Sequence, residues 1–265
     1  MTETFQITPD QAEAYETFFV PALFAQWAGP LVDLAAVTSG DHVLDVACGT
    51  GVAARAAADR VGPAGSVVGV DINPAMLEVA ARLRPDIEWR EGDAAALPFA
   101  SGDFDAVLCQ SALFFFPDVP VAVAEMGRVL RPGGVLALQT YASAPDQPAF
   151  WELQQIVSRY APAEAMHLIQ TYWSQGDLGE LSRTVESAGL NVVESRTKLG
   201  TATYASVENL IEVEVRGTPM VDRVSTSQIE QITADARQTL AHYLGEDGRL
   251  DMPIRAHLLA AHRPA

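Results

Sequence analysis

An α/β protein built on a doubly wound sheet is what this sequence predicts, and three observations predict it. Short β-branched runs alternate with helical stretches between residues 42 and 141. The first run stops at a glycine-flanked turn and restarts as an alanine-rich helix pattern, "HVLDVACGTGVAARAA". Two later strand-like runs, near 191–200 and 253–262, extend the series.

Taken in order, Thr8 followed by Pro9 reads as a helix start, a capping hydroxyl before a proline whose missing N–H costs nothing in the first turn. Two N-terminal helices are expected from there, broken near Pro21. The strand runs are "HVLDVA", "GSVVGVD", "IEWREGD", "FDAVLCQ" and "GGVLALQTY", which suggest a parallel sheet. Helices fall between them at 51–61, 74–83 and 119–130, the last stopped by "RPGG". Beyond Tyr141 the pattern predicts helices around 148–173, 178–188 and 206–243. One domain of 1–265 is expected, with a helical cap at 1–40, a ligand-binding core at 41–141, and insertions plus the final strands at 142–265.

Composition narrows the function classes. Of 265 residues 49 % are hydrophobic, enough for a substantial core, so the chain is expected to be globular. Thirty-four acidic residues against 17 basic ones give a net charge of -17, which repels a phosphate backbone and makes nucleic acid a poor partner. The two cysteines, Cys48 and Cys109, form no paired-ligand motif, so neither zinc nor a disulfide framework is expected. The N-terminus lacks a signal-peptide pattern and no apolar run reaches 18 residues, so a cytoplasmic protein without a membrane partner is expected.

In an open parallel sheet, ligands sit outside the carboxyl ends of the strands, and glycines admit a ligand to the backbone at a helix start. "CGTG" lies at that place. Gly49, Gly51 and Ala54 satisfy the dinucleotide pattern, with Asp71 closing the second run as a ribose acceptor, so an NAD-dependent oxidoreductase is one reading. Asp45 weighs against it: a carboxylate inside the turn favours a cationic ligand over a pyrophosphate. Asp93 and Gln110 end the third and fourth runs, adding polar groups along the same edge.

Together "VLDVACGTG", "VVGVDINPAMLEVA", "EGDAAALPFASGDFDAVLCQSALFFFPD" and "EMGRVLRPGGVLAL", spanning about 41 to 141, resemble a class I S-adenosylmethionine-dependent methyltransferase of the ubiquinone/menaquinone C-methyltransferase-like superfamily. The resemblance implies a Rossmann-like, doubly wound, seven-stranded sheet, mostly parallel, with N-terminal helices and helical insertions. It implies S-adenosyl-L-methionine as cofactor and S-adenosyl-L-homocysteine as product. Gly49, Thr50 and Gly51 would pass close to the methionine part, with Asp45 near its ammonium group. Asp71 would accept from the ribose hydroxyls, and Ile72 and Met76 would lie against the adenine. Asp93 would meet the adenine amino group and the Ala94 N–H its ring nitrogen, while Gln110 would face the acceptor pocket.

Taken singly, Asp45 and Asp93 also read as turn or helix caps, and Cys48 as packing. The acceptor pocket is expected from the aromatic segments outside the core: Tyr15, Phe19 and Trp27, then Phe115, Tyr141, Trp151, Tyr172 and Trp173. His167 is the catalytic candidate, as the histidine of a lid-like segment, with ordinary helix packing as its plainer reading. "QSALFFFPD" lacks the Asp-Pro-Pro-Tyr signature of amide methylation, so a small, aromatic or hydrophobic metabolite is the expected acceptor, and a homodimer the expected assembly. A non-methylating protein of the same fold, a cyclase or decarboxylase, stays open.

Overall fold

The computed structural model describes residues 7–216 and 223–265, with the backbone alone described at 164, 165, 167, 168 and 216. Seven strands among these residues form one sheet: β1 (His42–Val46), β2 (Ser66–Asp71), β3 (Glu88–Glu91), β4 (Phe104–Gln110), β5 (Leu130–Tyr141), β6 (Asn191–Tyr204) and β7 (Leu250–His262), in the order β3-β2-β1-β4-β5-β7-β6. The first five are parallel, and β7 enters antiparallel between β5 and β6. The expected mostly parallel, seven-stranded sheet is therefore what forms. An antiparallel strand at that place also departs from the all-parallel 3-2-1-4-5-6 order of dinucleotide-binding folds.

The helices are α1 (Pro9–Ala14), α2 (Ala25–Leu34), α3 (Val52–Val61), α4 (Pro74–Leu83), α5 (Val119–Val129), α6 (Pro148–Val157), α7 (Ala163–Thr171), α8 (Leu178–Ser187), α9 (Val207–Ile211) and α10 (Thr226–Thr239). Thr8 caps α1 as expected, in a reciprocal pair with Gln11. Pro21 does not break the N-terminal segment. Helical turns continue from Pro9 to Leu34, with Tyr15–Phe24 wound in wider i→i+5 turns, so that the Ala25 N–H reaches back to Val20. The wider turn accommodates a residue that has no N–H and whose ring would clash in a regular α-helix.

Alternation along the central strands divides the core between the two sheet faces. Leu44, Val46, Val68 and Val70 pack with Val123 and Met126 of α5 on one face. Val43, Val67 and Leu108 pack with Leu31 of α2 and Ala53, Ala54 and Ala57 of α3 on the other. Charged residues guard both edges, Glu88 and Arg90 on β3 and Glu194, Arg196 and Lys198 on β6.

A third cluster sits at the carboxyl ends of the parallel strands, joining Phe19, Leu23, Phe24 and Trp27 to Phe150 and Leu153 of α6 and to Ile229 and Ile232 of α10. Strand β7 runs antiparallel with Ala256 opposite Tyr141, so residues 250–255 project past the end of β5 and pair there with 199–204 of β6. That ribbon supplies one wall of the cluster with Tyr204, Met252 and Ile254.

Candidate active site

The turn after β1 holds three residues with left-handed backbone, Ala47 (φ 55), Gly49 (φ 54) and Gly51 (φ 87). They reverse the chain into α3 and turn backbone N–H groups toward the strand ends. Asp71, at the end of β2, ties this turn to the next. One of its oxygens accepts from the Gly49 N–H at 2.8 Å and the other from the Asn73 N–H at 2.9 Å. Burial raises its pKa, and the N–H groups of Asn73, Gly49 and Ile72 pull it back. A carboxylate has about four lone-pair sites, so these bonds leave Asp71 capacity for a ligand's hydroxyl groups.

Gly51 answers to a second demand that the sequence reading missed. A Cβ there would stand 2.3 Å from the Trp89 ring, and one on Gly69 would stand 2.4 Å from the same ring. Trp89 therefore lies under the turn, its indole N–H donating to the Arg84 carbonyl at 3.0 Å. Two glycines a strand apart facing one tryptophan were the available signal.

Asp45 alternates with Leu44 and Val46 and so points to the α3 face, where one oxygen accepts from the Ala54 N–H at 2.8 Å. It is a helix cap, as its plainer reading had it. Its other oxygen is buried and has no hydrogen-bond partner among the described residues, in a side chain 1 % exposed. Burial pushes the carboxyl up to about 7; the Ala54 N–H and Arg55 lower it and Asp71 raises it. Gln110 repeats the pattern: its amide donates to the Phe24 carbonyl at 2.9 Å, and its own carbonyl oxygen is buried without a described partner. Two acceptor oxygens thus lie unmatched at the ends of β1 and β4, an arrangement that suits a ligand bearing hydrogen-bond donors or positive charge.

The N-terminal segment closes over the turn. The Tyr15 ring lies against Gly49, 3.8 Å from where a Cβ would stand, and stacks on Phe19 and Phe24. Beside it, Glu16 accepts from the buried Thr50 hydroxyl at 2.6 Å and pairs with Arg55 at 2.9 Å, while Arg55 also donates to the Thr50 carbonyl at 2.7 Å. Ile72 is 41 % exposed beside β2. Met76 is partly buried and packs against Ala12 of α1 and Val79 of α4. Asp93 is exposed and accepts from the Ala95 N–H at 2.8 Å, an Asx turn, and Ala94 packs against the core.

An apolar cavity lies behind Phe24, lined by Tyr141, Phe150, Leu153, Tyr172, Trp173 and Glu214 among others. Its free volume is about 20 Å³, room for one water, so a larger guest enters only as the walls part. Tyr141, Tyr172 and Trp173 are thus brought together as expected, with Phe114 and Phe115 packed against Tyr172. Trp151 is not among the lining residues: it is 41 % exposed, because Phe150 and Leu153 take the inward face of α6 and the next residue points about 100° away. Phe19 is buried one layer out, stacked on Tyr15 and Phe24. His167 falls on α7, and its side chain lies outside the described residues.

Glu214 is the functional candidate that sequence reasoning did not single out. It accepts from the Tyr204 hydroxyl at 2.7 Å. Burial pushes its carboxyl up to about 7, and the Tyr204 hydrogen bond pulls it back. "IEVEVR" carried only a faint signal, an acid between two valines on an otherwise apolar face. No group of three or more His, Cys, Asp or Glu suited to a metal occurs among the described residues, and no helix there is long and apolar enough to cross a membrane.

A sheet of this order, a glycine turn bridged by the acid of β2, and unmatched acceptors beside it define an α/β protein with a candidate ligand site at the carboxyl ends of its parallel strands. Comparison with known proteins gives the family. Residues 44–138 match the family described as "Methyltransferase domain". The chain is 40 % identical over 138 residues to 2-phytyl-1,4-naphtoquinone methyltransferase of Thermosynechococcus vestitus, covering 49 % of this chain and 61 % of that protein; it therefore spans less than two thirds of that relative's length. It is 35 % identical over 179 residues to demethylmenaquinone methyltransferase of Staphylococcus aureus, covering 62 % of this chain and 73 % of that one. The structure of Haemonchus contortus phosphoethanolamine N-methyltransferase 2 with phosphomonomethylethanolamine and S-adenosylhomocysteine shares the fold, with a TM-score of 0.61 at 18 % identity over 97 % of this chain and 58 % of that one. The chain belongs to the class I S-adenosylmethionine-dependent methyltransferases.

Proposed function

We propose that this protein moves the methyl group of S-adenosylmethionine onto a small, apolar, ring-bearing acceptor, of the quinone-like kind named for its relatives. The observation that carries the reading is the buried Asp45 carboxylate with one unmatched oxygen at the glycine turn, next to an aromatic cavity. That oxygen fits an ammonium-bearing ligand and would be a poor neighbour for a pyrophosphate.

S-adenosylmethionine, when bound, supplies a methyl group already made electrophilic by its sulfonium. The chain's own work is then to hold, align and exclude water. Asp71 would accept from the ribose hydroxyls while it fixes the Gly49 turn, and Asp45 would face the ammonium group. Gln110 stands between this site and Phe24, a wall of the cavity. Tyr15 and the Glu16–Arg55 pair close the turn from above.

The test is incubation with methyl-labelled S-adenosylmethionine and a panel of reduced naphthoquinones, phenols and small amines. Label in a ring compound, with an equal amount of S-adenosylhomocysteine, is the expected result. Label only in amines would overturn the acceptor class. Conversion of an acceptor without S-adenosylhomocysteine would point to a cyclase or decarboxylase instead.

A further inference from the structure

The aromatic cavity contains more polar chemistry than packing requires. Glu214 is the acid among its described lining residues, and it accepts from the Tyr204 hydroxyl at 2.7 Å. The indole N–H of Trp173 is buried and makes no hydrogen bond among the described residues, and the side chain is more than nine-tenths buried, at 8 % exposed. A cavity meant only to be filled by apolar side chains would leave no donor unmatched, because a buried donor without a partner is destabilising. An unmatched buried donor and a carboxylate on the lining of one apolar cavity match a flat ring that carries oxygen: the donor meets a ring oxygen, and the carboxylate meets a ring hydroxyl.

We infer that Glu214 is the proton acceptor of the reaction and that the methyl acceptor is a hydroxylated aromatic ring held by the Trp173 indole N–H; this rests on the methyl-transfer reading above. In the step, the ring O–H proton passes to the Glu214 carboxylate. The electron pair left behind forms a bond to the methyl carbon, from oxygen or through a ring carbon, as the carbon–sulfur bond breaks and its pair stays on sulfur. After attack through carbon, the proton of that carbon moves to the ring oxygen and restores the aromatic ring. Tyr204 is a positioning residue that donates to Glu214 from the β6–β7 ribbon.

The neighbours of Glu214 fit the role. Tyr204, Tyr141 and Tyr172 face it, and its charge helps to raise the pKa of each phenol. These tyrosines therefore stay protonated donors through neutral pH, while Glu214, titrating near 7, exchanges a proton in that range.

Three measurements test this on the whole chain, with 1-naphthol as the probe. First, S-adenosylhomocysteine binding is measured by calorimetry; its absence would remove the methyl-transfer reading itself. Second, 1-naphthol binding to the S-adenosylhomocysteine-saturated protein is followed by fluorescence, and no binding would overturn the inference while leaving the cofactor reading intact. Third, single-turnover methylation of 1-naphthol is recorded against pH. Wild type is expected to rise with pH and level off above about 7. Glu214→Gln, which keeps an acceptor for Tyr204, is expected to lose about 100-fold or more, with S-adenosylhomocysteine affinity unchanged and a more acidic phenol restoring rate. Tyr204→Phe keeps the carboxyl and removes the group that lowers its pKa, so the break moves to higher pH. A Glu214→Gln protein with the wild-type rate and pH profile, or a Tyr204→Phe break that stays in place, would overturn the inference.

Discussion

Asp45→Asn should make the ligand-free protein more stable at pH 8 and a worse binder. The folded-state pKa of Asp45 is raised from 3.8 to about 7, chiefly by burial. The sign follows from proton counts: between these values the folded state keeps a proton that the unfolded chain has lost, so stability falls as pH rises through the interval and levels off above it. Each pKa unit is about 1.4 kcal/mol. At pH 8 the charged carboxylate therefore costs the folded state about 4 kcal/mol. An asparagine removes the charge and its carbonyl still accepts from the Ala54 N–H, yet its NH2 is left unmatched at about 1–3 kcal/mol. The net gain is about 2 kcal/mol, or roughly 4–8 °C in Tm for a chain of this size. Differential scanning calorimetry at pH 5, 6, 7 and 8 reads this directly. Wild type should lose stability across the series, and the variant should lose less, retaining the slope contributed by Asp71 and Glu214, which are raised in the same direction. Affinity for S-adenosylhomocysteine should fall at least about tenfold, the loss of one charged hydrogen bond. A variant less stable than wild type at pH 8, or one with the wild-type pH slope, would refute the reasoning.

Asp71→Ala removes the acceptor of the Gly49 and Asn73 N–H groups, so both affinity for S-adenosylhomocysteine and Tm should drop, the latter by about 1–3 kcal/mol of stability, as calorimetric titration and melting would report. Gly51→Ala adds a Cβ 2.3 Å from Trp89 on a residue at φ 87 and should destabilise by about 2 kcal/mol or more; Trp89→Leu in the same chain should recover the steric part and leave the backbone part, visible in denaturant midpoints. Arg55→Ala breaks the half-buried pair with Glu16, worth up to about 1 kcal/mol, and should speed proteolytic cleavage within 9–34 while adding ligand slows it again.

The parts of the fold that were legible in the sequence are those governed by local rules. Thr8, the glycines of the first turn and the β-branched runs each act within a few residues, and all found their elements. Asp71 stood out as a strand-ending acid beside a glycine turn, and its bonds to the Gly49 and Asn73 N–H groups follow from that position. What escaped depended on tertiary contact. Pro21 obeys a helix rule that a wider turn relaxes. Trp151 and Phe150 are one residue apart on α6, and which of them faces inward is decided by neighbours far away in sequence. Met76 packs against Ala12 of the N-terminal helix, a contact between residues far apart in sequence that no local motif announces. Glu214 and Tyr204 become a pair only because the β6–β7 ribbon runs past the end of β5, a consequence of strand order that no short motif encodes.

The most direct test of the central claim is calorimetric titration of the purified protein with S-adenosylhomocysteine and, separately, with NAD. Saturable binding of one S-adenosylhomocysteine per chain, lost in Asp71→Ala, with no heat from NAD, is the predicted result. Binding of NAD without S-adenosylhomocysteine would contradict it and make the turn from Gly49 to Gly51 a dinucleotide site.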